Sequence, residues 1–245
     1  MPPVSFGARR SQGGQDAFLW EHVFQHQPLY RQGVFVEFGA RNGVEHSNTH
    51  FYEQALEWRG LLFEANSGEQ GDIVRDRPRS AIIDGAVCST NRKARFTVSA
   101  IPGWSGFSQS YDAFRNATHD PMRSIDVQCF TLESMLDFFG IQHIDYMSAD
   151  TEGNELDSLQ GFPWGNASVS VLSVEVLTGT PDRSAKEMQL IEYVTSKGMQ
   201  ILEHMQFASD TKDIIFVGNA SRAPLNSVLF ERRLKLCQQM QRCLA

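Results

Sequence analysis

The sequence predicts a single α/β domain built on a mostly parallel seven-stranded sheet with helices on both faces. Length and composition are the first observation, because 245 residues with 41% hydrophobic content suit one globular core. The second is that short apolar runs, typical of buried strands, alternate with helix-like segments. The third is that the last two strand-like runs follow each other without a helix, which predicts a terminal antiparallel hairpin.

Each element rests on a local pattern. Apolar residues at helical spacing predict the opening helix, and Ser47 or Asn48 and Thr131 are suitable N-caps for the next two. The predicted helices span residues 16–26, 47–58, 131–139, 154–160, 185–197 and 229–244. The predicted strands of the sheet span residues 33–38, 60–63, 80–87, 143–149, 169–176, 199–204 and 213–217. Between them, the irregular segment 91–126 contains one further strand at 94–100.

The predicted organisation is an N-terminal extension (1–10), the α/β domain (11–219) and a C-terminal amphipathic helix (220–245). We expect the basic C-terminal helix to pack on the domain or on a second copy of the chain, as a homodimer. The net charge of −7 argues against a nucleic-acid-binding surface.

Targeting and cysteine patterns bear on the compartment. No apolar run approaches the roughly 18 residues of a transmembrane helix, and the start lacks the apolar core of a signal peptide. A cytoplasmic location is therefore expected, or the secretory-pathway lumen if the chain is part of a longer protein. Four widely spaced cysteines without a CxxC pair predict buried or unused thiols, not a zinc site or a disulfide framework.

The turn after the first strand is the first candidate for ligand binding. It reads Glu37-x-Gly39-x-x-x-Gly43, with Arg41 where a dinucleotide fingerprint needs its second glycine. Glycines let the backbone approach a ligand, and Glu37 would approach the ammonium of an amino-acid group. Asn42 lies in the same turn and is assigned to the cofactor site with it.

Acidic residues close the next two strands. Glu64 lies where a carboxylate accepts both ribose hydroxyls in nucleotide-binding sheets. Asp84 is followed by the small Gly85, beside which an adenine edge would fit. Together with the glycine turn, these acids predict a pocket for S-adenosylmethionine. For Glu37 and Glu64 taken singly, helix capping or pairing with an arginine is an equally good interpretation.

Three further acids are candidates for catalysis. Asp150 and Glu152 follow the 143–149 strand, and Glu175 ends the 169–176 strand. Methyl transfer to a hydroxyl requires a base, and Asp150 is the first candidate, with Glu152 second. No dedicated metal site is assigned, although the three carboxylates would alternatively suit a hard cation such as Mg²⁺.

Four segments carry a family resemblance: SQGGQD (11–16), VEFGARNGVEHSNT (36–49), WRGLLFEAN (58–66) and SADTEGNELDSLQGF (148–162). In order and spacing they resemble FkbM-type methyltransferases over residues 11–218. The resemblance implies a class I, Rossmann-like S-adenosylmethionine-dependent fold and O-methylation of a hydroxyl on a glycan or small metabolite. It also implies that Gln12 and Gln15 form a lid over the cofactor, and that Asp150 contributes to the cofactor site.

Two alternatives remain open from the sequence. Several of these segments are also similar to the Star-like eukaryotic branch, in which the domain has a non-enzymatic trafficking role. An oxidoreductase with a nucleotide cofactor is the other alternative. The acceptor is expected to lie against an aromatic segment that includes Trp104, Phe107 and Tyr111, which would suit a sugar face.

Overall fold

A computed structural model of the protein describes residues 6–26, 32–71, 73–101, 103–107, 122–219 and 225–239. Its strands are β1 (Val34–Phe38), β2 (Arg59–Glu64), β3 (Ser80–Asp84), β4 (Ala86–Val87), β5 (Arg92–Val98), β6 (Gly106–Phe107), β7 (Arg123–Phe130), β8 (His143–Ala149), β9 (Ser168–Leu177), β10 (Gln200–Gln206) and β11 (Thr211–Val217). Its α-helices are α1 (Gln15–His22), α2 (His50–Leu56), α3 (Ile73–Asp76), α4 (Leu132–Phe139), α5 (Glu155–Gln160), α6 (Pro181–Ser196) and α7 (Ser227–Gln239).

Seven strands form the main sheet, in the order β10-β11-β9-β8-β1-β2-β3. β1 pairs in parallel with β2 and β8, and the parallel pairs β2–β3 and β8–β9 extend the sheet on each side. β11 is antiparallel to both β9 and β10. The predicted fold class, including the terminal hairpin, is confirmed. The strand order reverses between β1 and β8, and such a switch point is where doubly wound sheets bind ligands.

The two faces of the sheet bury separate cores because successive side chains of a strand point in opposite directions. On β1, Val34, Val36 and Phe38 join the core that also contains Phe139 of α4. Phe35 joins the opposite core, which contains helices α1 and α2. Glu37 shares the face of Phe35 and is only 4% exposed, so a carboxylate occupies a position where an apolar residue would be expected.

The predicted strand 80–87 is interrupted at Gly85, and its second part, β4, joins a four-stranded sheet of order β4-β7-β5-β6. The reason is a close approach of two backbones: a Cβ at Gly85 would lie 2.5 Å from the carbonyl oxygen of Gln128 on β7. The backbone N–H of Gly85 instead donates to the carbonyl oxygen of Glu64. This second sheet contains the predicted strand at 94–100 as β5 and adds β7, which the sequence did not indicate.

Cys88 and Cys129 form a disulfide with a Cα–Cα distance of 5.5 Å, and Cys237 is disulfide-bonded as well, so the expectation of unused thiols is wrong for these three residues. Cys88 and Cys129 are both fully buried. The parallel pairing of β4 with β7 brings them together, because Ala86 pairs with Cys129 across these strands. The two cysteines are 41 residues apart in the sequence, and no local sequence pattern predicts that they pair.

The C-terminal helix α7 packs on the domain itself. Phe230, Leu234 and Cys237 are buried in the larger core, and the ring of Phe230 lies 5.6 Å from that of Phe139. Its contribution to a homodimer stays a prediction. In the described part of the chain, every helix is too short or too polar to cross a membrane.

Candidate active site

A cavity of about 360 Å³ opens at the carboxyl ends of β1, β2, β8 and β9, at the switch point of the sheet. The structure brings eight of the predicted site residues to its wall: Gln12, Glu37, Gly39, Glu64, Gly85, Asp150, Glu152 and Glu175. They come from segments up to 163 residues apart, counted from Gln12 to Glu175. The predicted clustering of the strand-end acids is therefore present.

The glycine turn lets β1 and β8 close around the cavity. Gly39 has a φ of 83°, and a Cβ added there would lie 1.7 Å from the carbonyl oxygen of Asp150. The backbone N–H groups of Gly39 and Ala40 both donate to the carbonyl oxygen of Phe63 at the end of β2. Only glycine fits this position, since it tolerates the left-handed backbone and adds no side chain at the contact.

Glu37 is held by donors of the protein itself. Its Oε1 accepts from the backbone N–H of Asn48 at 2.8 Å, and its Oε2 accepts from the hydroxyls of Ser47 and Thr49. The guanidinium of Arg77 lies 3.7 Å from Oε2. Glu37 therefore fixes the segment that enters α2, and its two oxygens are already used.

Glu64 ends β2 at the cavity wall. Its Oε1 accepts from the backbone N–H of Asn66 at 2.6 Å, and its Oε2 from that of Arg41 at 2.8 Å. Burial raises the pKa of Glu64 to about 7, against the opposing effect of these two hydrogen bonds. The side chain is thus positioned by backbone donors and titrates near neutral pH.

Asp150, Glu152 and Glu175 each offer a carboxylate oxygen within 4.8 Å of the other two. Burial, followed by the nearby carboxylate of Glu152, raises the pKa of Asp150 well above its ordinary value. Burial and the carboxylate of Asp150 do the same to the pKa of Glu175. Crowded acids share protons in this way because like charges at short range cannot all ionise. A cluster of this kind is a candidate for proton transfer.

Asp213 is a fourth acid beside this cluster that sequence reasoning missed. It lies opposite Glu175 in the β9–β11 pair and is only 2% exposed. Its carboxylate accepts from Nε2 of Gln15 at 2.8 Å, and burial raises its pKa to about 6. The alternation of β11 placed it inward, but nothing local to that strand indicated that Gln15 would meet it.

The N-terminal segment lies at the mouth of the cavity through Gln12, whereas Gln15 points to Asp213 behind the wall. The segment is fixed by Asp16, which accepts from the backbone N–H groups of Arg10 and Ser11. Gly13 packs closely on Phe207, since a Cβ there would lie 2.7 Å from that ring. A covering role for Gln12 and a direct cofactor contact by Gln15 both stay predictions.

Three other predicted residues lie outside the lining of the cavity. Oδ1 of Asn42 accepts from the backbone N–H groups of Val44 and Glu45, which shapes the turn itself. Gly43 faces Ile73 and Arg77. Asp84 accepts from Nε2 of Gln70 at 3.2 Å. Their cofactor roles stay predictions, and the observed contacts give each a structural role.

Aromatic residues of the second sheet and of the loop before β6 form a further part of the cavity lining, here called the aromatic wall. Phe96, Trp104 and Phe107 line the cavity, and the rings of Phe96 and Phe107 meet edge to face at 5.4 Å. Phe96 and Phe107 belong to the small core that contains the Cys88–Cys129 disulfide. Trp104 and Phe107 line the cavity, their contact with an acceptor stays a prediction, and Tyr111 falls outside the described residues.

Comparison with known proteins gives one family match. A model of the methyltransferase FkbM domain matches residues 37–214. No curated protein matches the chain.

Several solved structures are similar at low identity. Fibrillarin from Aeropyrum pernix with natively bound S-adenosyl-L-methionine is 12% identical, with a TM-score of 0.44 over 88% of this chain and 85% of that one. Precorrin-6y C5,15-methyltransferase from Geobacter metallireducens is 10% identical, with a TM-score of 0.47 over 89% and 94%. A putative rRNA-methylase from Clostridium thermocellum is 9% identical, with a TM-score of 0.48 over 87% and 98%. Similarity at this level carries no conclusion about the acceptor.

Proposed function

The chain belongs to the FkbM methyltransferase family, and we propose that it methylates a hydroxyl oxygen on a glycan or a small polyol-like metabolite. Membership of this family supports S-adenosylmethionine as the methyl donor. The observation that carries the finer proposal is the group of three acids, Asp150, Glu152 and Glu175, at adjacent strand ends in the cavity. A hydroxyl acceptor needs a base, whereas an amine gains less from one once it is deprotonated.

The residues of the cavity fit the cofactor. Gly39 lines the cavity, and its missing side chain lets the backbone of Asp150 approach the turn after β1, which brings the two strand ends together around the cofactor space. The carboxylate of Glu64 at the end of β2 is suited to accept hydrogen bonds from two ribose hydroxyls. Gly85, after β3, also lines the cavity, where the sequence predicts the adenine edge.

Bound S-adenosylmethionine supplies an electrophilic methyl carbon: the acceptor oxygen forms the new C–O bond while sulfur keeps the electron pair of the broken S–C bond. The protein orients the acceptor hydroxyl and takes its proton. In the proposed role, Asp150 accepts this proton, and its raised pKa makes the carboxylate a stronger base than an exposed aspartate. The carboxylates of Glu152 and Glu175 interact electrostatically with Asp150, so the three groups share protons and negative charge.

The aromatic wall supports a sugar or polyol as acceptor. Phe96, Trp104 and Phe107 offer apolar rings to the same cavity as the carboxylates. A sugar ring presents C–H groups on one face and hydroxyls at its edge, so it would contact both surfaces at once. The negative net charge disfavours a nucleic-acid acceptor.

Asp150→Asn tests the proposal. We expect calorimetry to show nearly unchanged binding of S-adenosylhomocysteine, while turnover with labelled cofactor and an acceptor found by screening glycans and polyols falls about 10²-fold or more. Asp182→Asn, at a side chain that is 76% exposed in the first turn of α6, is the matched control and should leave turnover unchanged. Full activity of Asp150→Asn would refute its role as base.

The same assay separates direct proton abstraction from activation of the acceptor by a divalent cation. Inhibition by EDTA that Mg²⁺ reverses would favour a cation held by the three acids. Activity that EDTA leaves intact would favour the carboxylate alone. If the wild-type protein binds no S-adenosylhomocysteine, the methyltransferase proposal is lost and the adaptor interpretation takes its place.

We further propose that the domain works in an oxidising compartment. The fully buried Cys88–Cys129 disulfide supports this location, because disulfides are rare in reducing compartments. Asn166 and Asn219 each begin an N-x-S triplet and are exposed, as acceptors of N-linked glycans must be. Of the two locations left open by the sequence, these features favour the secretory-pathway lumen.

A further inference from the structure

Asn48 lies between β1 and β8 at the wall of the cavity, just before helix α2. It is only 8% exposed. Its backbone N–H donates to Oε1 of Glu37 at 2.8 Å, and its Nδ2 donates to the hydroxyl of Ser148 at 2.9 Å. Glu37 and Ser148 are direct neighbours across the β1–β8 pair, so Asn48 bridges the two strands at the switch point.

The side-chain oxygen of Asn48 stands out because it is buried without a hydrogen-bond partner among the described residues. Buried polar atoms are nearly always paired, since leaving one unpaired costs free energy. Ser148 fixes the amide plane through Nδ2, which leaves Oδ1 as an oriented acceptor. Because Asn48 lines the cavity, a ligand with an N–H donor is the natural partner.

The charges around Asn48 favour a cationic donor. Glu37 contacts it directly, and the carboxylates of Asp150, Glu175 and Asp213 interact electrostatically with one another in the same part of the molecule. An ammonium group placed there would relieve the repulsion between these acids. Glu37 is a poorer direct partner than Glu64 would be, since Oε2 of Glu37 already accepts from two hydroxyls and Oε1 from a backbone N–H, whereas each oxygen of Glu64 accepts a single hydrogen bond.

We propose that Oδ1 of Asn48, positioned by Ser148, accepts a hydrogen bond from the α-ammonium group of the amino-acid part of S-adenosylmethionine. Glu37 is then a positioning residue: it accepts a hydrogen bond from the backbone N–H of Asn48 and places a negative charge near the ammonium group. The proposal rests on the proposed function, because it assigns one residue to the cofactor of that same site.

Calorimetry with two ligands tests the proposal on the full chain. S-Adenosylhomocysteine carries the α-amino group, and 5′-methylthioadenosine lacks the whole amino-acid part while keeping the nucleoside. We expect Asn48→Ala to weaken binding of S-adenosylhomocysteine at least about 10-fold, the range for a hydrogen bond to a charged group. Binding of 5′-methylthioadenosine should be unchanged. Asn166→Ala, in the exposed turn before β9, is the matched control and should change neither affinity.

Two outcomes overturn the proposal while leaving the proposed function standing: equal weakening of both ligands by Asn48→Ala, or no weakening of either. Failure of the wild-type protein to bind S-adenosylhomocysteine would instead refute the proposed function. If Asn48→Ala melts at a much lower temperature, Ser148→Ala serves in its place, because it releases the amide plane without touching the acceptor atom. Selective weakening of S-adenosylhomocysteine by Ser148→Ala supports the proposal, and unchanged affinity contradicts it.

Discussion

Glu64 shows how one residue can be fixed in place by the backbone and still titrate near neutral pH. Its two oxygens accept from backbone N–H groups, yet burial raises its pKa to about 7. Because the folded pKa lies above the ordinary 4.5, the neutral form is favoured in the fold. The stability that this provides is complete below pH 4.5 and is lost as the pH rises through about 7.

Ligand binding should have the opposite dependence on pH. Ribose hydroxyls donate more strongly to the ionised carboxylate, so the affinity for S-adenosylhomocysteine should rise between about pH 6 and pH 8. Glu64→Gln should flatten that rise. Calorimetry across this range measures both proteins, and subtracting the two profiles removes the contribution of other groups such as Asp213. A rise of the same size in Glu64→Gln would show that another group is responsible.

Among the secondary-structure elements, the junction of β1, α2 and α3 depends on one buried cation. Arg77 follows α3 and is completely buried. Its Nε donates to Glu53 of α2 at 2.7 Å, its Nη1 to the carbonyl oxygen of Gly43 at 2.7 Å, and its Nη2 to the hydroxyl of Thr49 at 2.8 Å. The glycine turn of the cavity is therefore supported from behind by an arginine 34 residues further along the chain.

Arg77→Met should lower the free energy of unfolding by about 3–5 kcal/mol, because it leaves buried Glu53 and Glu37 without their cation. Arg75→Met is the matched control: Arg75 is 69% exposed and pairs with Asp76, so its loss should cost less than about 1 kcal/mol. Urea denaturation followed by circular dichroism measures both variants. Equal losses in the two would mean that the buried network contributes little.

At the scale of the whole molecule, the Cys88–Cys129 disulfide joins the end of β4 to β7 within the second sheet, whose small core also contains Phe96 and Phe107 of the aromatic wall. It closes a segment with a sequence separation of 41 residues, for which chain entropy alone predicts a stabilisation of about 4 kcal/mol. The double change Cys88→Ala and Cys129→Ala should therefore lower the urea midpoint strongly. Peptide mapping without reductant, on protein isolated from its natural source, tests whether the Cys88–Cys129 disulfide is formed. Free thiols at both positions would contradict the proposed oxidising compartment.

The elements of this fold were predictable because their signals are local. Short apolar runs predicted most strands of the main sheet, and the absence of a helix before 213–217 predicted the antiparallel hairpin. The strand-end acids Glu64, Asp150 and Glu175 were also predictable as one site, since parallel strands bring their carboxyl ends to one edge of the sheet.

Tertiary structure decided which partner each of these side chains meets. The sequence by itself determined that Glu37 precedes a glycine turn. The tertiary structure decided that the hydroxyls of Ser47 and Thr49 donate to Glu37 and that Arg77 lies beside it. It also decided that the side-chain oxygen of Asn48 is buried without a hydrogen-bond partner among the described residues. Likewise, β4 had to leave the main sheet before Cys88 could meet Cys129. Periodicity and turn chemistry act over a few residues, whereas the pairing of buried polar groups is settled only when distant segments compete for the same donors.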